Sequence, residues 1–384
     1  MTDMTIATTA AKPAAAWPGD WLFLSAASAA ALLLAALVWL DGQPASAALI
    51  GLGFALGVAF FRAEFSFTAA WRRFLVRGEA GGLIGAFLLI AVAALAIVPV
   101  AALVPGFGGA IAPLGPSLEI GAFVFGVGMQ LANGCGSGTL YTAGSGAGRM
   151  LVALAFFVVG SVIGSLHLPA FLALGGFDPI VAGQLLGPWG GLAATLASLA
   201  VAAAIVAAVA RRRGASFTPS RAIAIGAVAI GVLSIAVFLA GRHPWSVTFG
   251  FTVWGGKIAS ALGVDLSTQP FWQWPGPKRA LTDSVLTDTS SLTNFGMIFG
   301  AMAAAAAMRP FARADWPPLK SLLAAALGGL LMGWGARLGF GCNIGAFVGG
   351  VASGSLHGWV WFAAALAGCT VGIRLRPWFG LSRE

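Results

Sequence analysis

Two cysteines sit in glycine-rich runs that a helix does not accommodate well. Residues 133–148 read NGCGSGTLYTAGSGAG, with Cys135 among six glycines and beside the chain's single tyrosine, Tyr141. Cys342 lies in GFGCNIGAFVGGVASG at 339–354. Glycine costs a helix interior about 1 kcal/mol against alanine, so each run reads as a helix break around a thiol. A short helix restarting after each break, over 137–147 and 343–353, would turn its free first amides and positive dipole end toward the cysteine, an anion-holding arrangement. Glycine lets a solute approach backbone N–H groups closely, and an uncharged thiol is a weak, soft donor. The chemistry is therefore the holding of a soft anion beside sulfur.

The candidate binding residues are Cys135 and Cys342, with Gly134, Gly136 and Gly341 opening the backbone around them. Asn133 and Asn343 stand nearby as hydrogen-bond donors or helix caps. Arg337, one turn before the second break, either attracts an anion or snorkels. Tyr141 offers a hydroxyl to the pore or sits at an interface. Lys257, in the segment SVTFGFTVWGGKIASAL at 246–262, is costly inside a membrane and hence a functional candidate. A packing role competes with all of this, because small residues let helices approach and buried cysteine often acts as a small hydrophobe.

The rest of the inventory excludes other chemistries. The three cysteines (135, 342, 369) and three histidines (167, 243, 357) form no CxxC or His-x-His spacing, so no metal or other cofactor is expected. GSGAGR at 144–149 lacks the GK[ST] ending of a phosphate-binding loop. The net charge is +9, but the basic residues are dispersed through short loops rather than clustered as for nucleic acid.

The two cysteine runs belong to a duplication. Shifted by 207 residues, Gly121, Gly126, Gly128, Gly134, Cys135 and Gly138 fall on Gly328, Gly333, Gly335, Gly341, Cys342 and Gly345. Shifted by 208, Ser145, Gly146, Gly160 and Gly164 fall on Ser353, Gly354, Gly368 and Gly372. Each copy reads as an apolar helix, a Gly-Cys break, a small-residue segment and a second apolar helix. Gln130 and Arg337 are equivalent positions, and Cys369 aligns with Ser161, which points to core packing.

The elements that must position these breaks are membrane helices. The chain is 59% hydrophobic and 9% charged, far from the roughly 25% charged residues of soluble domains. Stretches such as 21–40, 81–103, 189–210, 223–240 and 292–308 approach the roughly 20 residues a spanning helix needs, and about ten crossings fit. The expected fold is an all-α integral membrane protein of about ten transmembrane or re-entrant helices in two inverted repeats. The division is a polar tail at 1–20 with a retained first helix, a first repeat at 21–187, a connecting helix and basic cytoplasmic loop at 188–220, and a second repeat at 221–384. Basic loops at Arg72–Arg77, Arg211–Arg221, Arg309–Lys320 and Arg374–Arg376 are assigned to the cytoplasm. For the count to close, 246–262 must not fully cross, and Gly255, Gly256 and Lys257 suggest an interrupted or re-entrant segment.

The segments ANGCGSGTLYTAGSG and GFGCNIGAFVGGVASGSLHGW resemble the signature segments of the YeeE/YedE family, bacterial inner-membrane proteins associated with sulfur-compound transport. The resemblance covers most of the chain. It implies an hourglass-like fold of inverted repeats in a lipid bilayer, with thiosulfate or a related sulfur anion passed along by S–H hydrogen bonds from Cys135 and Cys342. Some members carry a further cysteine in an early helix; RAEFSFTAAWRRFL at 62–75 has none, leaving Ser66 or Cys369 as substitutes. A cytoplasmic sulfur-carrier protein is a candidate partner. The readings kept beside a permease are a membrane thiol-dependent sulfurtransferase and a selenium-compound transporter.

Overall fold

The computed structural model describes residues 20–308 and 317–383; the tail at 1–19 and the basic positions Arg309 and Arg313 lie outside them. Helices follow in the order α1 (Trp21–Leu40), α2 (Pro44–Ala63), α3 (Phe67–Arg77), α4 (Gly81–Leu103), α5 (Pro116–Ala132), α6 (Gly136–Gly144), α7 (Gly148–Leu172) and α8 (Ala182–Arg212). The chain continues through α9 (Arg221–Gly241), α10 (Thr248–Ala261), α11 (Pro270–Gln273), α12 (Pro275–Thr282) and α13 (Thr289–Met308). It closes with α14 (Leu319–Leu338), a π-helical turn (Asn343–Val348), α15 (Gly349–Ala352) and α16 (Leu356–Leu375). Among the described residues ten helical segments are long and apolar enough to cross a membrane, because in lipid every backbone group must be satisfied within its own segment.

Hydrogen bonds between loops gather the helix ends on two faces. On one, Asp20 N–H donates to Ala306 O, Ala80 N–H to Ser216 O, and the guanidinium of Arg213 to Leu75 O. The same face carries the starts of α7 and α14, joined by Arg149 and Ser321. On the other, Gly108 N–H donates to Arg242 O, Leu114 pairs with Phe177, and Val181 pairs with Ser355. The first face carries Arg62, Arg72, Arg73, Arg77, Arg149, Arg211, Arg212, Arg213, Arg221, Lys320, Arg374 and Arg376.

The packing is itself doubled. α5 lies along α16 and α7 along α14; α2 lies along α13 and α9 along α4; α1 covers α13 and α8 covers α4. α3 touches α4, α5 and α16, while α10 touches α13, α14 and α7. Exchanging α1, α2, α3, α4, α5 and α7 for α8, α9, α10, α13, α14 and α16 turns each of these pairings into another. Burial follows the same exchange: α1 and α8 are each 17% buried over their most apolar stretch, as suits outermost helices. At the crossing of α5 and α14, a Cβ on Gly335 would meet Gly121 O at 2.6 Å and one on Gly128 would meet Gly328 O at 2.6 Å. These helical glycines permit close backbone approach, the packing role expected of small residues in membranes.

The boundary drawn at 187/188 falls within a helix, and one expectation is corrected. α8 begins at Ala182 and is bent where Gly187 takes φ 73° ahead of Pro188, so 187/188 is a kink inside a helix. By its contacts α8 stands in the second half where α1 stands in the first. The interruption expected within 246–262 is absent: Thr248–Ala261 is an unbroken 14-residue helix. A Cβ on Gly255 would meet Val158 O at 3.0 Å, and Gly256 faces the Trp272 ring, so both glycines serve packing. At about 1.5 Å per residue α10 spans only about 21 Å, too short to cross.

Candidate functional site

Both cysteine breaks start with the same backbone event. α5 ends at Asn133 with φ 65°, and α14 runs out at Phe340 with φ 59°, 207 residues later. Left-handed backbone is tolerated by asparagine but uncommon for a bulky residue. It turns the chain sharply into Gly134-Cys135 and Gly341-Cys342. Gly341 has φ 150°, and a Cβ there would meet Ala346 N at 2.7 Å.

The two breaks then meet. A Cβ on Gly136 would lie 2.8 Å from Cys342 Sγ and 3.4 Å from the Thr248 methyl, so the absence of a side chain at 136 lets the second thiol lie against the backbone next to Cys135. The two cysteines are 1% and 0% exposed, and all three thiols are free. Cys135 is the N-cap of α6: its Sγ accepts from Gly138 N–H at 3.3 Å and lies 3.4 Å from Ser137 Oγ. Cys342 makes no capping bond, and the segment after it is a π-helical turn, not the expected α-helix. π-turns leave irregular backbone and occur often at functional sites.

Two buried polar residues beside the breaks lack partners: both side-chain atoms of Asn343, next to Cys342, and Thr139 Oγ1, 3.0 Å from where a Cβ on Gly134 would lie. An unmade buried hydrogen bond costs about 1–3 kcal/mol, so such a set is what a polar solute would complete.

Arg337 points from α14 toward the second face. Its Nη1 donates to Thr252 Oγ1 at 3.3 Å, and its guanidinium lies 5.7 Å from the Phe249 ring centre and 5.6 Å from that of Phe271. Stacking of this kind holds a weakly hydrated cation without neutralising it. With His243, Pro244, Ser246, Gly345 and His357, Arg337 lines a cavity of about 240 Å³ whose wall includes Gly345, three residues after Cys342. Burial holds His243 below the ordinary histidine range, which keeps its ring neutral at pH 7.

Toward the first face the equivalent place is filled differently. Asn133 Oδ1 accepts from Arg72 Nη1 at 2.8 Å and from Arg376 Nη1 at 3.3 Å. Arg72 Nη1 also reaches Gln130 Oε1 at 3.3 Å, and Arg376 Nη1 reaches Gln130 O at 2.6 Å. Arg149 donates to Leu131 O and Ala132 O. Asn133 is thus an acceptor here, and its backbone caps α5.

Lys257 is not brought together with the cysteines, and Tyr141 and Cys369 are engaged with other partners. Lys257 Nζ donates to Leu281 O at 3.1 Å and Asp283 O at 2.5 Å. It is nine residues along α10 from Thr248, about 14 Å away, and pins the segment 262–288 instead. Tyr141 donates to Phe65 O at 3.5 Å and packs on the Phe60 ring. Cys369 Sγ donates to Gly126 O at 3.5 Å within the contact of α16 with α5.

Sequence reading missed Arg72, Arg149 and Arg376, as well as Thr248 and Ser246. One signal was present: FSFT at 65–68 and WSVT at 245–248 match at a shift of 180. The shift places Arg72 on Thr252, and these two bond to the equivalent residues Gln130 and Arg337.

A polytopic all-helical protein whose irregular backbone meets at a buried polar contact is a membrane protein of the transporter class. The family model described as sulphur transport matches residues 62–371, and the chain belongs to that family. Named relatives are transporters. "Probable transporter YedE" of Salmonella typhimurium is 36% identical over 155 residues, 40% of this chain and 35% of that one. Its Escherichia coli namesake is 34% identical over 154 residues, again 40% of this chain and 35% of the relative. "Thiosulfate transporter TsuA" of Spirochaeta thermophila is 30% identical over 259 residues, 63% of this chain and 72% of that one. The chain therefore spans about a third of the length of the two YedE proteins and most of TsuA.

Proposed function

We propose that this protein is a permease of the bacterial inner membrane that takes up a small sulfur-containing anion, thiosulfate foremost, between Cys135 and Cys342. The observation that carries the reading is the contact of the Cys342 thiol with Gly136, which makes the two breaks one constriction. An anion entering the Arg337 cavity exchanges water for a held guanidinium, then for S–H donors and the unpartnered amide of Asn343. Neutral donors at the narrowest point hold the anion weakly enough to release it, as conduction requires. A sulfur anion suits polarisable thiols better than sulfate oxygens do.

The positive-inside rule places the arginine-bearing face in the cytoplasm. Five crossing segments in each half, an odd number, fit an inverted relation between α1–α7 and α8–α16, with the division at 173–181. A sulfurtransferase role finds little support, because Cys135 Sγ is partnered by Ser137 and Gly138 and not by a base that would form a thiolate.

Uptake of labelled thiosulfate into proteoliposomes, challenged with unlabelled thiosulfate, sulfate, sulfite and selenite, tests the assignment. Thiosulfate should compete best. Selenite competing where thiosulfate does not would transfer the assignment to selenium.

A further inference from the structure

The arginines beneath the first break are more numerous than helix capping needs. The C-terminal end of α5 carries about half a negative charge, yet Arg72, Arg149 and Arg376 all converge on residues 130–133. Arg72 and Arg376 share one acceptor, Asn133 Oδ1, so their Nη1 atoms lie within about 6 Å of each other. Arg376 is 4% exposed, Arg72 Nε is buried with no partner, and Asn133 is exposed. Among the described residues no carboxylate lies within ion-pair distance of the three. The oxygens they donate to, on Gln130, Leu131, Ala132, Asn133, Ser321 and Ser382, are all neutral and orient the guanidinium groups without cancelling their charge. Burying like charges together is costly, and a bound anion offsets that cost.

The place is also the repeat counterpart of the Arg337 cavity. Gln130 corresponds to Arg337 at the 207-residue shift, and Arg149 to His357 at 208. From Cys135 the way there passes Gly134, where a Cβ would sit 3.0 Å from the unpartnered Thr139 Oγ1.

We propose that Arg72, Arg149 and Arg376 form a second anion-binding subsite, distinct from the cysteine constriction and on the opposite side of it from Arg337, which takes the transported thio-oxyanion after it passes the thiols. The proposal rests on the permease reading for the identity of the anion, not for the existence of the site. Such a site draws the anion off the constriction, since guanidinium pairs bind oxyanions more tightly than thiols do.

Equilibrium binding of labelled thiosulfate to the full chain, purified in neutral detergent, tests it. Wild type should bind two anions per chain. Arg72→Gln combined with Arg376→Gln should bind one, and Arg72→Lys, which keeps the charge, should retain two with about tenfold weaker affinity at one site. Cys135→Ala with Cys342→Ala should lose the other site. If that cysteine variant still binds two while the arginine variant binds one, the subsite stands and the constriction reading fails. Two anions retained by the arginine variant would overturn the subsite. So would occupancy of the arginines by phosphatidylglycerol in nanodiscs with no thiosulfate bound there, which would make it a lipid headgroup site.

Discussion

At the scale of single residues, absence of a side chain decides as much as presence. Gly136 keeps the Cys342 thiol against the Cys135 backbone, so Gly136→Ala must displace it. Overpacking costs about 1–3 kcal/mol, and placed at the constriction it should lower thiosulfate uptake about tenfold or more while the protein still inserts. Uptake by Gly136→Ala equal to wild type, at matched expression, would show that the anion does not pass there. Cys369→Ala should be nearly silent in the same assay, since Cys369 Sγ donates to the Gly126 carbonyl inside the contact of α16 with α5 and its counterpart is Ser161. The cysteines were legible because type and spacing recur together. The arginines were not: positions 72, 149 and 376 are scattered, and each resembles a loop charge marking topology until the fold brings them to one carbonyl end.

At the scale of elements, the proposed duplication is suggested where glycines repeat and obscured where an insertion intervenes. Between α10 and α13 lie residues 262–288, whereas α3 and α4 are joined by 78–80. That connection, together with α10 being 14 residues to the 11 of α3, changes the shift from 180 to 207, so FSFT and WSVT escape a search at one fixed offset. The inserted segment is held by Trp272, buried under Gly256 with Nε1 donating to Ser165 Oγ at 3.1 Å, and by Lys257. Lys257→Met should therefore leave thiosulfate uptake within about twofold of wild type while exposing 262–288 to limited proteolysis; loss of uptake with the segment still protected would restore Lys257 to the pathway. Trp272→Ala removes a buried aromatic, worth about 3–5 kcal/mol in a core, and should lower the unfolding temperature in detergent. An unchanged midpoint would mean that the segment contributes nothing to stability.

At the scale of the whole molecule, the paired helix contacts make two halves of five crossing segments, with both described ends of the chain on the arginine-bearing face. Single cysteines introduced at Ser382 and at Asp178, in a background lacking native thiols, should label from opposite sides of the membrane, Asp178 from outside. Labelling of both from one side would break the inverted arrangement. Composition alone marks the membrane class, and glycine spacing motivates the proposed duplication; which helices face each other needed three dimensions, because apolar helices are compatible with many partners. Transport as proposed depends on the anion's passage between two thiols. Its most direct test is initial-rate uptake of labelled thiosulfate by proteoliposomes carrying the Cys135→Ala, Cys342→Ala double variant. A hydrogen bond to a charged group is worth about 1.5–3 kcal/mol, so the rate should fall roughly ten- to a hundredfold, with serine at both positions restoring part of it. A well-folded double variant that takes up thiosulfate at the wild-type rate would contradict the account and leave the glycine breaks to packing alone.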